Sequence, residues 1–444
     1  MMNGTVVSIF SGCGGLDLGF KELGFDLLYA CDLDPCAVDC YGRNVHPKTF
    51  VRDVMSRQFH DDIAAIATCD VVLGGFPCQG FSKAGPKRRE DSRNVLYTEM
   101  RDAIARLKPK VFIAENVDGL SQNFRGNYLD MIINEFANVG YDVGYRILDA
   151  VAYGVPQHRR RIIFVGTKRG CGQSFEWPAP THSPRTRNGE FRVQDGPLLW
   201  GVTHHQNQPL NGTLTIRDAI ADLTKLDSPV PDHKIGVWPS RYNHIFGVIK
   251  EGQKLCNVRH SATSVYTWDI PEVFGTVTER ERLILETIAR NRRHKEYGEI
   301  PNGNPLPLSE IERLSELSGI EDEITSLMQK RYLKRVAEGY DLKGALFCSG
   351  MFKRPKWDEP APTVLTNFHN PRYFLHPSED RPFSLRECAR FQGFPDNFHF
   401  LSSAVDLISG YRLVGNAVPP PLSRCIAKAV GSFLVGSQPM ALAQ

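Results

Sequence analysis

An α/β fold, Rossmann-like over about its first 178 residues and joined to a second, smaller domain, is what this sequence predicts, and three observations carry the prediction. The β-branched run Thr5-Val-Val-Ser-Ile-Phe10 passes through Ser11-Gly-Cys-Gly-Gly15 into a helical pattern from Leu16 to Leu23. Further strand-like runs, Leu27–Cys31 and Lys110–Ala114, each deliver a carboxylate at their carboxyl ends, Asp32 and Glu115. Finally, 444 residues exceed what one core usually holds, and the texture becomes rich in Pro, Gly and Asn after Pro178.

Taken in order, the first turn contains glycines that let a backbone approach a nucleotide-like ligand, although its spacing also suits a purely structural turn. Asp32 follows that turn by about twenty residues, the place from which a carboxylate accepts two hydrogen bonds from a ribose diol. Asp53 closes a third apolar-flanked segment and is a candidate acceptor for an adenine amino group. The strand-like Cys69–Leu73 then leads into Gly74-Gly-Phe-Pro-Cys-Gln-Gly-Phe-Ser82, which presents Cys78 as a nucleophile at the sheet edge. Lys83, Lys87, Arg88, Arg89 and Arg93 follow it, suiting either a loop that closes over a polyanion or an ordinary solvated loop.

Glu115 sits where burial can shift a carboxyl toward its protonated form. Arg146–Asp149 and Arg161–Val165 read as two antiparallel strands closing the sheet, with Val155-Pro-Gln-His-Arg-Arg-Arg161 between them. Alternation places Arg159 and Arg161 on one face of an extended segment and Arg160 on the other; a solvated basic face is the plain alternative.

The middle of the chain reads as a domain from 179 to 385. Thr213–Leu223 suits a connecting strand and helix. Thr276-Val-Thr-Glu279 and Ser309-Glu-Ile-Glu312 look like capping boxes, and Ile324–Val336 reads as a third helix bearing Lys330, Arg331, Lys334 and Arg335. Together they predict a helix-turn-helix-like insert around 276–340, against a purely structural one. Thr363–Thr366 with Asn367, His369, Asn370 and Arg372 is a second candidate reader of bases or phosphates. Residues 386–444 read as a supporting segment returning to the first domain, with a terminal helix at Leu422–Leu434.

Eleven cysteines without a closely spaced CxxC pair, and no signal-like segment before Val6, predict a reducing cytoplasm. Neither Cys31, Cys36 and Cys40 nor His204 and His205 complete a metal-ligand set, so no metal is expected. No apolar stretch approaches a membrane span. A formal charge of +3 neither demands nor opposes a polyanionic partner.

These residues together resemble the DNA (cytosine-5)-methyltransferases of bacterial restriction–modification systems. Pro77-Cys78-Gln79, Glu115-Asn116-Val117, Gln157-x-Arg159-x-Arg161 and Gly415-Asn416-Ala-Val-Pro419 occur in that family's order, joined by Arg386-Glu-Cys-Ala-Arg-Phe-Gln-Gly-Phe-Pro395. The likeness spans about residues 4–170 and 360–430. It implies a Rossmann-like S-adenosylmethionine-dependent methyltransferase domain with a smaller target-recognition domain, acting on double-stranded DNA. By the same resemblance Phe10, Gly12, Gly14, Leu16, Asp32, Asp53, Pro77 and Asn416 belong to the cofactor side, Asp32 standing where the family commonly has glutamate. Cys78 is then the nucleophile at C6 of a flipped cytosine. Glu115 faces N3 and the amino group, Arg161 contacts O2, Arg159 orients Glu115 and the active-site loop, and Asn416 positions the Pro77-Cys78 loop.

A monomer is expected, with a cognate restriction endonuclease as a possible partner. Three competing readings are an RNA cytosine-5 methyltransferase, an inert DNA-binding regulator and an oxidoreductase. The long middle domain argues against the first, the intact Cys78–Glu115–Arg159–Arg161 set against the second, and the absence of GxGxxG against the third.

Overall fold

The structure is a computed structural model that describes residues 4–77, 96–120, 127–183, 210–223, 229–257, 260–300, 303–343 and 350–436. Two compact units divide the chain. The first comprises residues 1–234, 358–367 and 384–444, and the second 235–357 and 368–383.

In the first unit, β1 (Thr5–Ile9), α1 (Gly15–Glu22), β2 (Asp26–Asp32), α2 (Pro35–Asn44), β3 (Thr49–Val51), α3 (Arg57–Ala65), β4 (Val71–Gly74), α4 (Leu96–Leu107), β5 (Val111–Val117), α5 (Asn127–Asn138), β6 (Tyr141–Asp149) and β7 (Arg160–Lys168) alternate along the chain. They build a seven-stranded sheet of order β3-β2-β1-β4-β5-β7-β6. The first five strands are mutually parallel, whereas β7 runs antiparallel to both β5 and β6. Because parallel strands are covered on both faces, β1, β4 and β5 read as apolar runs, and Val6, Val7, Val71, Val72, Phe112 and Ile113 are fully buried. On one side Phe59, Met100, Ile104, Ile132 and Phe136 from α3, α4 and α5 join that core.

Asp17 lies fully buried in the first turn of α1 and accepts a hydrogen bond from the Tyr41 hydroxyl at 3.0 Å. Burial raises its pKa from 3.8 to about 6, outweighing hydrogen bonds from Ser8 and Tyr41. The native state therefore keeps a proton that the unfolded chain releases, and stability falls as pH rises from about 4 to about 6. The full shift is worth about 3 kcal/mol. In urea melts across this window, Asp17→Asn is expected to remove most of that slope; an unchanged slope would place the titration elsewhere.

After β7 the chain continues through α6 (Ile216–Ile220), whose N-cap Thr215 forms a reciprocal box with Asp218. Ile216 and Ile220 are buried, and the Ile216 N–H donates to Glu359 O. The predicted boundary at 178/179 therefore moves: the described residues up to 234 and the stretch 358–367 belong to the sheet unit.

The second unit holds α7 (Asn243–Phe246), β8 (Lys254–Leu255), β9 (Ser264–Val265), α8 (Pro271–Phe274), α9 (Glu279–Asn291), β10 (Leu306–Pro307), α10 (Leu308–Ser315), α11 (Glu321–Gln329), β11 (Leu333–Val336) and β12 (Gly339–Leu342). Its α9–α11 portion packs around a three-stranded antiparallel sheet of order β10-β12-β11, not as a helix-turn-helix. The third helix ends at Gln329: Arg331 takes φ 68, and Lys334 and Arg335 sit on a strand paired with β12. Two predicted caps also shift. Thr278, not Thr276, boxes with Glu281, and α10 begins at Leu308 with no side-chain cap from Ser309. Glu281 fixes that register because it is buried and ion-paired to Lys330 at 2.7 Å.

Back in the first unit, α12 (Leu385–Phe391), α13 (Leu407–Asn416) and α14 (Pro420–Gly436) close the fold. The wholly buried Arg386 donates to the carbonyls of Pro231, Pro395 and Phe398 and pairs with Asp232 at 3.2 Å. The Ser423 hydroxyl of α14 donates to Leu16 O, which seats the last helix against α1.

Candidate active site

Strand β1 has β2 on one side and β4 on the other, so the chain order reverses there. In open α/β sheets the crevice beyond the carboxyl ends of such strands is the usual ligand site. Three chain segments meet at this place. Pairing of Ile9 with Gly74 and of Gly74 with Ala114 sets Phe10, Gly75 and Glu115 side by side at the sheet edge. A β-carbon on Gly75 would lie 3.5 Å from Glu115 Oε2 and 3.9 Å from Phe10 O.

The turn after β1 is wound left-handed, with φ 58 at Phe10, 55 at Gly12 and 90 at Gly14. At Gly14 a side chain is excluded twice over, since a β-carbon would fall 2.5 Å from Val45 Cγ2. Gly12 faces open space, with no atom within 4 Å of a β-carbon built there. Its N–H donates to Asp32 Oδ2 at 2.8 Å, and the Asp34 N–H donates to Asp32 Oδ1 at 2.9 Å. Burial raises the Asp32 pKa, although these backbone donors pull it down. Asp34 is otherwise committed, capping α2 through the Cys36 N–H and pairing with Arg412 at 2.9 Å.

Leu16 is buried within α1, and Asp53 is exposed with Oδ1 accepting from the Met55 N–H at 2.9 Å. Pro77 is half-buried at the end of a described segment; Cys78 and the basic stretch after it lie outside the described residues, as do His204 and His205.

Glu115 and Arg161 occupy the same face of the β5–β7 ladder. Glu115 pairs with Ile163 and Val117 with Arg161, so the two side chains are diagonal neighbours. Arg161 Nε reaches Glu115 Oε1 at 2.7 Å, with only 12% and 13% of the two side chains exposed. Burial raises the Glu115 pKa, and the charges of Arg161 and Arg159 offset part of the rise.

Arg159 is fully enclosed and holds backbone rather than Glu115. Its guanidinium donates to Val364 O at 3.0 Å and to Gly415 O at 2.8 Å, while its N–H donates to Asp149 Oδ1. The side chain that orients Glu115 is thus Arg161, and Arg159 ties β7 to two distant segments. Thr363–Thr366 is similarly committed: Val364 is buried, its N–H donates to Gln157 Oε1, and Thr363 Oγ1 donates to His158 O.

The expectation that Asn416 positions the Pro77-Cys78 loop falls on Cys78, outside the described residues. Asn416 is exposed at the end of α13 and makes no side-chain hydrogen bond among the described residues. The backbone at Phe76, which leads to Pro77, is held by Asn116, whose Nδ2 donates to Phe76 O at 3.0 Å from a buried position. Phe76 packs near Tyr97 and Phe164, which fixes the same residue from its other side. A polar residue two places beyond the apolar run Lys110–Ala114 was the sequence signal for this role. Asn116→Ala leaves the Phe76 carbonyl unpaired in a buried setting, at a cost of about 1–3 kcal/mol. The expected result is a turnover number lowered about tenfold to a hundredfold with KM little changed, read by steady-state kinetics.

The model of the C-5 cytosine-specific DNA methylase family matches residues 4–432. The Type II methyltransferase M.AgeI of Thalassovita gelatinovora is 31% identical over 441 residues, covering 96% of this chain and 98% of its own. M.HgiBI of Herpetosiphon aurantiacus is 28% identical, covering 96% of each chain. Among solved structures, one assigned as a DNA modification methyltransferase encoded within an E. coli prophage is similar in fold. Its TM-score is 0.54 at 22% identity, with 97% of this chain and 99% of that one covered.

Proposed function

Because this chain belongs to the C-5 cytosine-specific DNA methylase family, we propose that it transfers the methyl group of S-adenosylmethionine to carbon 5 of a flipped-out cytosine. The target lies within a specific duplex sequence, and transfer runs through a covalent bond from Cys78 to C6. One observation carries the proposal: a buried carboxyl of raised proton affinity, Glu115, is held by Arg161 at the sheet's switch point, beside the segment that leads into Cys78.

The residues of the first turn fit the cofactor. Gly12 leaves open space, Asp32 has lone pairs beyond its backbone donors to accept ribose hydroxyls, and exposed Asp53 has one oxygen without a hydrogen bond among the described residues to take an adenine amino group. When bound, S-adenosylmethionine would supply an electrophilic sulfonium methyl group, the S–C bond pair staying on sulfur so that the neutral thioether is the leaving group.

Cytosine C5 is a weak nucleophile while the ring is aromatic. The Cys78 thiolate attacks C6, the Sγ–C6 bond forms, and the C5–C6 π pair becomes available at C5 to take the methyl group. Negative charge develops toward N3 and O2. Glu115, protonated more readily than an ordinary carboxyl, donates at N3, and Arg161, whose one bond to Glu115 leaves other N–H groups, donates to O2. Loss of the C5 proton to a base then restores the double bond and expels the thiolate, regenerating Cys78, and the N3 proton returns to Glu115. C6 is inaccessible in stacked duplex DNA, so the base must leave the helix.

The second unit is assigned target recognition, and the relatives' Type II names support a place in a restriction–modification pair. The test is transfer from labelled S-adenosylmethionine to unmethylated duplexes of varied sequence and to structured RNA. Label at cytosine C5 within one short DNA motif supports the proposal; label on RNA alone overturns it.

A further inference from the structure

The carboxyl end of α13 crosses the first turn of the sheet unit. Cys13 Sγ lies 3.8 Å from Leu413 O, and a β-carbon on Gly15 would fall 2.3 Å from Val418 O and 3.2 Å from Ala417 Cβ. Leu413, Val414, Gly415, Ala417 and Val418 are all buried, whereas Asn416 in their midst is exposed and makes no side-chain hydrogen bond among the described residues.

A helix ends with carbonyls that lack intrahelical N–H partners, and here side chains from distant segments supply donors on both sides of Asn416. Gln392, wholly buried at the end of α12, donates through Nε2 to Val414 O at 2.6 Å and, at the longer distance of 3.5 Å, to Ala417 O. Val414 O also takes the Ala417 N–H at 3.2 Å. Gly415 O is held by Arg159 at 2.8 Å, and Gly415 itself is pressed on the chain at 365–366, since a β-carbon there would fall 2.5 Å from Thr366 N.

The Gln392 amide can point only one way. The Val364 N–H donates to Gln157 Oε1 at 2.7 Å, which turns Gln157 Nε2 toward Phe391 O and Gln392 Oε1, both at 3.0 Å. Gln392 must then present its own NH₂ to the carbonyls of α13. Two buried amides and one guanidinium thus fix the backbone on either side of a single exposed amide.

We propose that Gln392 is a positioning residue for the cofactor site: by holding the backbone on both sides of Asn416, it sets where that exposed amide stands beside the first turn. Gln157 fixes the direction of the Gln392 amide and acts through it. This rests on the S-adenosylmethionine-dependent function proposed above, with Asn416 on the cofactor side.

The test measures S-adenosylmethionine binding to the full chain by isothermal titration calorimetry, with duplex DNA binding followed by anisotropy. Gln392→Met, close to glutamine in volume but without donor or acceptor, is expected to raise the Kd for S-adenosylmethionine about tenfold and to leave DNA affinity unchanged. Asn416→Ala should also raise that Kd, and the double variant should bind no more weakly than the weaker single one, because both changes remove the same placed amide. Should Gln392→Met lose its cooperative unfolding transition, Gln392→Asn carries the test: its amide is one methylene too short for Val414 O, and the Kd should rise in the same way. A wild-type Kd in a folded Gln392 variant or in Asn416→Ala, losses that add in the double variant, or an equal loss of DNA affinity overturns the proposal. Failure of the functional reading is seen separately, as absence of S-adenosylmethionine binding by the unaltered protein.

Discussion

Replacing Cys78 with Ala is expected to lower methyl transfer by about 10⁴-fold or more, a barrier increase of roughly 5 kcal/mol, while leaving DNA affinity within about tenfold of wild type. The reason lies in the ring and not in binding. Without a bond to C6 the cytosine keeps its aromatic π system, and no hydrogen bond from Glu115 or Arg161 makes C5 nucleophilic enough to compensate. Single-turnover transfer and anisotropy binding, measured on the same preparation, separate the two effects. Equal losses in both would assign Cys78 to binding.

Glu115→Gln is the second large effect, an expected fall in the turnover number of about 10²–10⁴-fold with the fold intact. Glutamine preserves the volume and the acceptor toward Arg161 but removes a proton that can be transferred. It also leaves the guanidinium without its partner charge in a site where both side chains are almost wholly enclosed. Because burial raises the Glu115 pKa, its acid form persists to higher pH than in an ordinary glutamate. The wild-type rate should therefore carry an alkaline limb from Glu115 ionisation, and Glu115→Gln should lose it. A pH–rate profile of the chemical step checks this; an identical limb in the variant would assign it to another group.

Much of the framework of the candidate site was legible because it is local. A strand, a glycine turn and a helix occupy residues 5–22, and carboxylates at the strand ends, Asp32 and Glu115, are placed by the strands that precede them. The same holds for the antiparallel β6–β7 pair, whose alternation put Arg161 on the Glu115 face. What escaped was set by distant partners. Arg159 looked equivalent to Arg161 in an alternating run, but its carbonyl partners come from Val364 and Gly415, 205 and 256 residues along the chain. Asn116 was not singled out for its hold on Phe76, because pairing of β4 with β5 is what brings the two together, a relation that spacing alone does not encode.

The second unit was read less well for a similar reason. Helical spacing continued past Gln329, yet Arg331 turns left-handed and the following residues find a partner in Gly339–Leu342. A strand pairing formed by tertiary context thus overrode local periodicity. The domain boundary moved because α6, embedded among prolines and glycines, buries Ile216 and Ile220 in the first unit.

The most direct test of the central claim is covalent capture. Duplex DNA carrying 5-fluorocytosine at the methylated position is incubated with the protein and S-adenosylmethionine, and the products are resolved under denaturing conditions and mapped by mass spectrometry. Fluorine in place of the C5 proton blocks the elimination that would release the thiolate. The account predicts a stable one-to-one complex joined at Cys78, absent in Cys78→Ala. Methyl transfer to the natural duplex without any such complex, or a link at another residue, would contradict it.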